Sequence, residues 1–340
     1  MAMSPDKPND TTNGTPVLAA KSRAIEEAPG IDVPLRSDDD ATRTSHEKEP
    51  ERSLTSEVSA DVAPELQEFM AEAAEQNQSA AEEASAGNGH VATPFIAFSH
   101  VSKAFGDFKV LQDVNFFVLP GETLCILGRS GVGKSVSLQM LMGFLRADSG
   151  QITVAGEDIC TFNEKQLQEI RRKVTMVFQN GALFDSISVG ENVAFPLREK
   201  RELSEEQIRQ VVKGLLEMVG VAGMDDLLPS DLSTGMKRSV AIARALAAQP
   251  EAILYDEPTT MVDPLMAHLL GDLIARLKSQ LHLTSIVVTH DMRFAKKLAD
   301  RVLFLHEGKA HFFGTMEEME ASDDPVLQEF LTLDELLLPA

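Results

Sequence analysis

The stretch Gly128-Arg129-Ser130-Gly131-Val132-Gly133-Lys134-Ser135 constrains this chain more than any other. It fits G-x-x-x-x-G-K-[ST], the spelling of a loop that wraps nucleotide phosphates. Backbone N–H groups must converge on phosphate oxygens, and glycine lets the main chain come close. Lys134 supplies a point charge for the β- and γ-phosphates, and the Ser135 hydroxyl a ligand for Mg²⁺. The flanks agree. Glu122–Leu127 reads as a buried strand entering the loop, and Val136–Leu145 as a helix whose N-terminus faces the anion. A strand, this loop and a helix in succession dictate an α/β unit with its ligand at the end of the strand.

The 340 residues do not share one composition. Residues 1–92 hold 19 Asp and Glu against 7 Lys and Arg, −12 of the chain's −22. That segment is poor in aromatics and rich in Ser, Thr, Pro and Ala, too little apolar surface to offset its ordering entropy. The composition predicts a disordered acidic extension over 1–92 and a folded domain over 93–340. Within the extension, Glu65–Gln76 has a helical pattern around Leu66, Phe69 and Met70, but an isolated helix of that length is marginal in water. The two cysteines, Cys125 and Cys160, lack metal-ligand spacing and read as reduced, packed thiols of a cytosolic protein. No apolar run is long enough for a membrane span. The acidic balance argues against a nucleic-acid partner.

Apolar runs at Phe95–Val101, Val110–Leu119, Gln151–Val154, Val174–Phe178, Ala252–Tyr255, Ser285–Thr289, Val302–Leu305 and Ala310–Phe313 read as strands. Helical patterns fall at about 180–232, with a capping box at Ser204–Gln207, and at Met236–Ala248, Pro264–Leu281, Met292–Ala299 and Pro325–Leu331. Continuous apolar strands alternating with helices imply a parallel sheet covered on both faces.

Four further groups accompany the phosphate loop. Asp256 and Glu257 follow a buried strand, where ligands sit in open α/β sheets. Asp256 can hold Mg²⁺ directly or through water, and Glu257 can polarise an attacking water. Leu232-Ser233-Thr234-Gly235-Met236 opens a helix as a second anion site, or as an ordinary N-cap. Gln179 ends a short strand, where its amide can bind metal or water. His290 ends another and can hydrogen-bond an anionic oxygen.

In this order the set resembles the ATP-binding-cassette (ABC) ATPases over about 95–320. The resemblance implies a P-loop NTPase, RecA-like core, an antiparallel β subdomain near 93–121 and an α-helical signature subdomain near 180–235. It identifies Asp263 with the family's interfacial Asp loop, His290 with its switch and Phe105 with its adenine-stacking aromatic, a position where core packing is the competing reading. The runs Phe178–Val193, Gly235–Arg238, Tyr255–Thr260 and Ser322–Val326 resemble more narrowly the Mla-type ATPases that work with Mce-domain proteins. That branch implies a homodimer, peripheral on the cytoplasmic face of the inner membrane and bound to integral-membrane permease subunits. It also implies an Mce-domain substrate-binding protein and a small accessory subunit as partners. ATP and Mg²⁺ are the implied cofactors, and phospholipid or another hydrophobic molecule the implied cargo. A soluble ABC mechanoprotein acting on ribosomes or DNA, or a nucleotide sensor without turnover, is the rival reading.

Two residues depart from the family. Thr234 stands where the signature has its first glycine, and Met261 where the Asp263 loop carries Gly or Ala. A Cβ at 234 restricts the backbone and adds bulk where a phosphate would approach. With Ser233, Gly235, Glu257 and His290 retained, the resemblance implies a competent ATPase.

Overall fold

The computed structural model describes residues 64–85 and 93–336. Helix α1 (Pro64–Ser85) is followed by the hairpin β1 (Ile96–Phe105) and β2 (Phe108–Val118), turning at Gly106-Asp107. Next come β3 (Thr123–Leu127), α2 (Lys134–Leu141), β4 (Ser149–Val154), β5 (Glu157–Asp158), α3 (Glu164–Lys173) and β6 (Val174–Val177). Three helices follow, α4 (Val189–Lys200), α5 (Glu205–Met218) and α6 (Thr234–Ala247). The chain continues through β7 (Ala252–Asp256), α7 (Pro264–Leu281), β8 (Thr284–Val288), α8 (Met292–Leu298) and β9 (Arg301–His306). It ends in β10 (Lys309–Gly314), α9 (Met316–Glu320) and α10 (Pro325–Leu336).

A six-stranded sheet runs β10-β9-β3-β8-β7-β6, parallel except for β10. Its central strands read as unbroken apolar runs because both faces are covered. Side chains alternate between two cores. Leu124 and Ile126 of β3 join one with Leu254, Ile286 and Val288; Cys125 and Leu127 join the other with Ile253, Tyr255 and Val287. Burial in that second core pushes the Cys125 thiol up to about 12, so it packs as an apolar group. The first core is closed by a four-stranded antiparallel sheet, β2-β1-β4-β5. The antiparallel layer therefore reaches Asp158, well beyond the boundary expected at 121.

Helices α4, α5 and α6 pack on the second core. The Ser204–Gln207 capping box opens α5, and Ile208, Val211, Val212, Leu215 and Leu216 make its buried stripe at helical spacing. Ser188 caps α4 by accepting from the Glu191 N–H at 3.2 Å. In α4, Asn192 is wholly buried; its amide bonds the Phe184 N–H and the carbonyls of Phe184, Ile187 and Ser188. That amide shapes the 184–188 turn from within.

The expected disordered extension over 1–92 is corrected at residues 64–85; residues 1–63 and 86–92 lie outside the described residues. Helix α1 docks on α5 and α7 through Leu66, Phe69, Ala73 and Asn77, all buried. Its composition is acidic overall, but those four positions repeat at i, i+3, i+7 and i+11 and form one face. The approach is close because residue 214 of α5 is glycine: a Cβ there would lie 2.3 Å from Leu66 Cδ2. Polar contacts fix the register. Asn77 donates to the Leu281 carbonyl at 2.9 Å, one of the orphan carbonyls ending α7, and Gln249 donates to the Phe69 carbonyl at 3.0 Å. The docked surface of the domain thus supplies the apolar partner that an isolated helix lacks.

Two stability predictions follow from this packing. A chain beginning at residue 93 should melt at a lower temperature than the full chain, and Gly214→Leu should expose α1 to limited proteolysis by driving Leu66 out. Unchanged melting and unchanged protection of 64–85 would show that the docking contributes nothing. Met261, 86% exposed, holds φ 61°, a left-handed backbone in which a Cβ costs about 1–2 kcal/mol. Met261→Gly removes that cost but adds about 0.5–1 kcal/mol of unfolded-state entropy. Urea unfolding should find the glycine variant between unchanged and about 1.5 kcal/mol more stable; a clear loss would reveal a contact made by the methionine.

Candidate nucleotide site

Loop 128–135 connects β3 to α2 at the C-terminal edge of the sheet. It is pressed against β2. Gly133 has φ 109°, and a Cβ there would lie 2.7 Å from Leu111 Cδ2 and 3.1 Å from the Val110 carbonyl oxygen. Only glycine satisfies both the left-handed backbone and the contact. The next residue, Lys134, is 6% exposed. Its Nζ donates to the carbonyls of Gly128 at 2.8 Å and Arg129 at 3.2 Å, and lies 3.5 Å from Glu257 Oε1.

The two carboxylates at the end of β7, Asp256 and Glu257, make separate contacts. Asp256 accepts from the Ser135 hydroxyl at 2.7 Å. Burial pushes its carboxyl above the usual range, opposed chiefly by the Ser135 hydrogen bond. Glu257 takes a left-handed backbone, φ 48°, sparsely populated for a residue with a Cβ. Its Oε2 accepts from the Thr260 hydroxyl at 2.9 Å and lies 2.7 Å from His290 Nδ1.

A cleft of about 630 Å³ collects these groups. Its wall includes Gly128, Arg129, Ser130, Gly131, Gly133, Lys134 and Ser135, with Gln179, Glu257, Thr260 and His290 across from the loop residues in sequence. That volume suits a small-molecule ligand. Asp256 reaches the cleft through Ser135. The donor set of a hydroxyl, a carboxylate and the Gln179 amide is all oxygen and holds a single charge. It fits Mg²⁺, which keeps water and phosphate ligands alongside one or two protein ones.

Phe105 ends β1 at the hairpin and is 49% exposed, with Lys103 Nζ 5.5 Å from its ring centroid. Core packing is therefore not its role, though it is not part of the cleft wall. Ser233, Gly235 and Asp263 also lie outside that wall. Ser233 caps α6 by accepting from the Met236 N–H at 3.3 Å, and Asp263 caps α7 through the Met266 N–H at 2.9 Å. Thr234 is exposed, begins α6, and is not among the residues with positive φ. Its Cβ meets no backbone strain, so the expected restriction at 234 does not arise within the subunit; the strained departure is Met261.

Four cleft residues escaped the sequence reading, Val136 at the start of α2 among them. Val110 comes from β2 and Thr260 from the turn after Glu257. Phe330 comes from α10, its ring 4.7 Å from that of Phe304, while the adjacent Glu329 pairs with Arg129 at 2.6 Å. Thr260, three residues beyond a catalytic-type carboxylate, was within reach of local spacing. Phe330 carried no signal, because it meets the loop only through β9.

The family profile described as ABC transporter matches residues 111–260. The chain is 42% identical over 226 residues to the intermembrane phospholipid transport system ATP-binding protein MlaF of Haemophilus influenzae, covering 66% of this chain and 86% of that one. It is 38% identical to the probable ribonucleotide transport ATP-binding protein mkl of Mycobacterium leprae, covering 68% and 67%. Among solved structures, a dimeric ATP-binding cassette in a post-hydrolysis state bound to ADP and Pi superposes with a TM-score of 0.61 at 30% identity, covering 65% of this chain and 98% of that one. The cbiO1 subunit of Clostridium perfringens, part of an ABC transporter complex, gives 0.62 at 29%, covering 72% and 97%. With its phosphate loop, paired carboxylates and histidine gathered in one cleft, this chain belongs to the ABC transporter family as an ATP-binding, ATP-hydrolysing subunit.

Proposed function

We propose that the cleft hydrolyses ATP with Glu257 as the group that orients and polarises water, and that the energy drives transport of phospholipid or another hydrophobic molecule. The carrying observation is the setting of Glu257. Its carboxylate stands in the cleft between Lys134, the Thr260 hydroxyl and His290. The N–H groups of loop 128–135 and the Lys134 ammonium bind the phosphates. Phe105 offers its exposed face to the base. Ser135, Asp256 and Gln179 are the residues that would hold Mg²⁺. Once bound, that ion neutralises charge on the phosphate oxygens. Glu257 takes up the proton of the water it orients, and His290 stabilises the charge developing on the phosphoryl oxygens.

Ser233, Gly235 and Asp263 do not line their own cleft, and this supports a head-to-tail homodimer in which a second copy supplies them. The first turn of α6, exposed at Ser233 and Thr234, would then close over the γ-phosphate of the partner.

A groove of about 580 Å³ beside α4 supports docking to permease subunits. Its wall includes Phe184, Ile187, Phe195 and Arg198, and the Phe184 and Phe195 rings lie 5.2 Å apart, 46% and 42% exposed. Paired exposed aromatics of this kind mark interaction surfaces. The loop that begins at Gln179 forms one side, so the groove adjoins the cleft along the chain. Among the described residues no helix is long and apolar enough to cross a membrane, and we place the subunit on the cytoplasmic face of the inner membrane through these partners. An Mce-domain protein and a small accessory subunit complete the proposed assembly. The relatives differ in cargo, one named for phospholipid and one for ribonucleotide transport. We favour phospholipid because the match at higher identity carries that name.

Glu257→Gln keeps shape and hydrogen bonding but loses the charge. Turnover should fall on the order of 10²–10⁴-fold while ATP binding persists; near-normal turnover would overturn the role of Glu257. Replacing Phe184 and Phe195 together by aspartate should abolish co-purification with membrane subunits and spare ATP binding. Retained co-purification would place the docking surface elsewhere. Lipid transfer between vesicles by the purified complex should require ATP, and ATP-dependent ribonucleotide movement without lipid transfer would reverse the choice of cargo.

A further inference from the structure

We propose that Arg238 is a positioning residue for hydrolysis, its guanidinium locking the turn that carries Gln179 and the turn that carries Glu257 to the helix that begins after Ser233. The proposal rests on the roles given above to Gln179 and Glu257.

Arg238 sits in the second turn of α6 and is 3% exposed. Among the described residues no carboxylate lies within ion-pair distance of it; two backbone carbonyls accept its hydrogen bonds, and the Asp256 carboxylate attracts it from further off. Nη1 donates to the Phe178 oxygen at 2.9 Å and Nη2 to the Thr260 oxygen at 3.3 Å, while Nε has no acceptor among the described residues. A buried guanidinium with no carboxylate in direct contact is costly, and an apolar side chain of similar volume would serve packing at least as well. Its two acceptors show what the charge accomplishes.

Phe178 immediately precedes Gln179. Its carbonyl also accepts the Gly181 N–H at 2.9 Å, so a closed turn holds Gln179 between two fixed points. Thr260 is the residue whose hydroxyl bonds Glu257 Oε2 at 2.9 Å, and its N–H bonds the Glu257 carbonyl at 3.2 Å. Arg238 thus bonds directly to the residue before Gln179 and to the residue whose hydroxyl donates to Glu257. Arg244, further along α6, donates to Ala182 at 2.9 Å and Gly181 at 3.3 Å and reinforces the first turn without touching the second. Only Arg238, among the described residues of α6, is seen to reach both.

Among the described residues, Arg238 makes its hydrogen bonds to Phe178 and Thr260 and none to the loop of residues 128–135. Removal of the guanidinium should therefore misplace Gln179 and Glu257 and spare nucleotide affinity. A shift of about 1 Å at reacting groups can cost about 10²-fold in rate.

The test uses the full chain. Arg238→Met, close in volume, should lower kcat by about 10–100-fold with ATP affinity, read by a fluorescent ATP analogue, within about threefold. Arg238→Lys, which retains the charge and reaches one carbonyl, should fall between methionine and wild type. Thr260→Val removes the hydroxyl from Glu257; its effect on kcat should be non-additive with that of Arg238→Lys, because both act on one carboxylate. This cycle decides the matter even if the methionine variant does not fold. A kcat within twofold of wild type for Arg238→Met, additive effects in the cycle, or affinity and kcat falling in parallel would each overturn the proposal. Normal turnover in Glu257→Gln would instead remove the reading beneath it, so the two failures are distinguishable.

Discussion

The phosphate loop, Glu257 and His290 depend on the parallel pairing of β3, β8 and β7. Parallel neighbours end on the same edge, so the residues following each strand are delivered side by side. The pairing continues one step past the strands. The Glu257 N–H bonds the Val288 carbonyl at 2.9 Å, and the Thr289 N–H bonds the Ile126 carbonyl at 3.2 Å. Glu257 thereby meets the phosphate loop with its own N–H paired, and His290 directly follows the paired Thr289. Their side chains need little further ordering, which is where binding sites built on strand ends gain their accuracy.

That scaffold concentrates charge at a place with little water to answer it. Lys134 and Asp256 are buried, and Glu257 nearly so. The arrangement holds because each charge has a stated partner: Lys134 its loop carbonyls and Glu257, Asp256 the Ser135 hydroxyl, Glu257 the Thr260 hydroxyl and His290. Arg238 extends the same network to α6 through hydrogen bonds to two carbonyls. A network so interdependent responds to substitution as a unit, and pairwise effects within it are not additive.

Around the cleft, the added pieces act at the periphery of the sheet. Helix α1 bridges α5 and α7 on one core, and α10 brings Phe330 and Glu329 against the phosphate loop through β9. Neither segment lies within the residues matched by the family profile. Both illustrate how apolar positions in a mostly polar segment become structural once a preformed surface receives them.

The sequence by itself determined the phosphate loop, the strands flanking it and the carboxylates Asp256 and Glu257, because these rest on local rules. A glycine pattern, a run of buried residues and a capping side chain act within a few positions and leave a spelling that can be read. The tertiary structure alone decided that α1 is docked, since its four apolar or amide contacts matter only against Gly214, Gln249 and Leu281 far along the chain. It likewise decided that Phe105 is exposed, that Phe330 walls the cleft and that Arg238 spans two turns. Each of these is a meeting of residues remote in sequence, governed by which surfaces the folded sheet brings within a few ångströms, and a one-dimensional pattern carries no record of that distance.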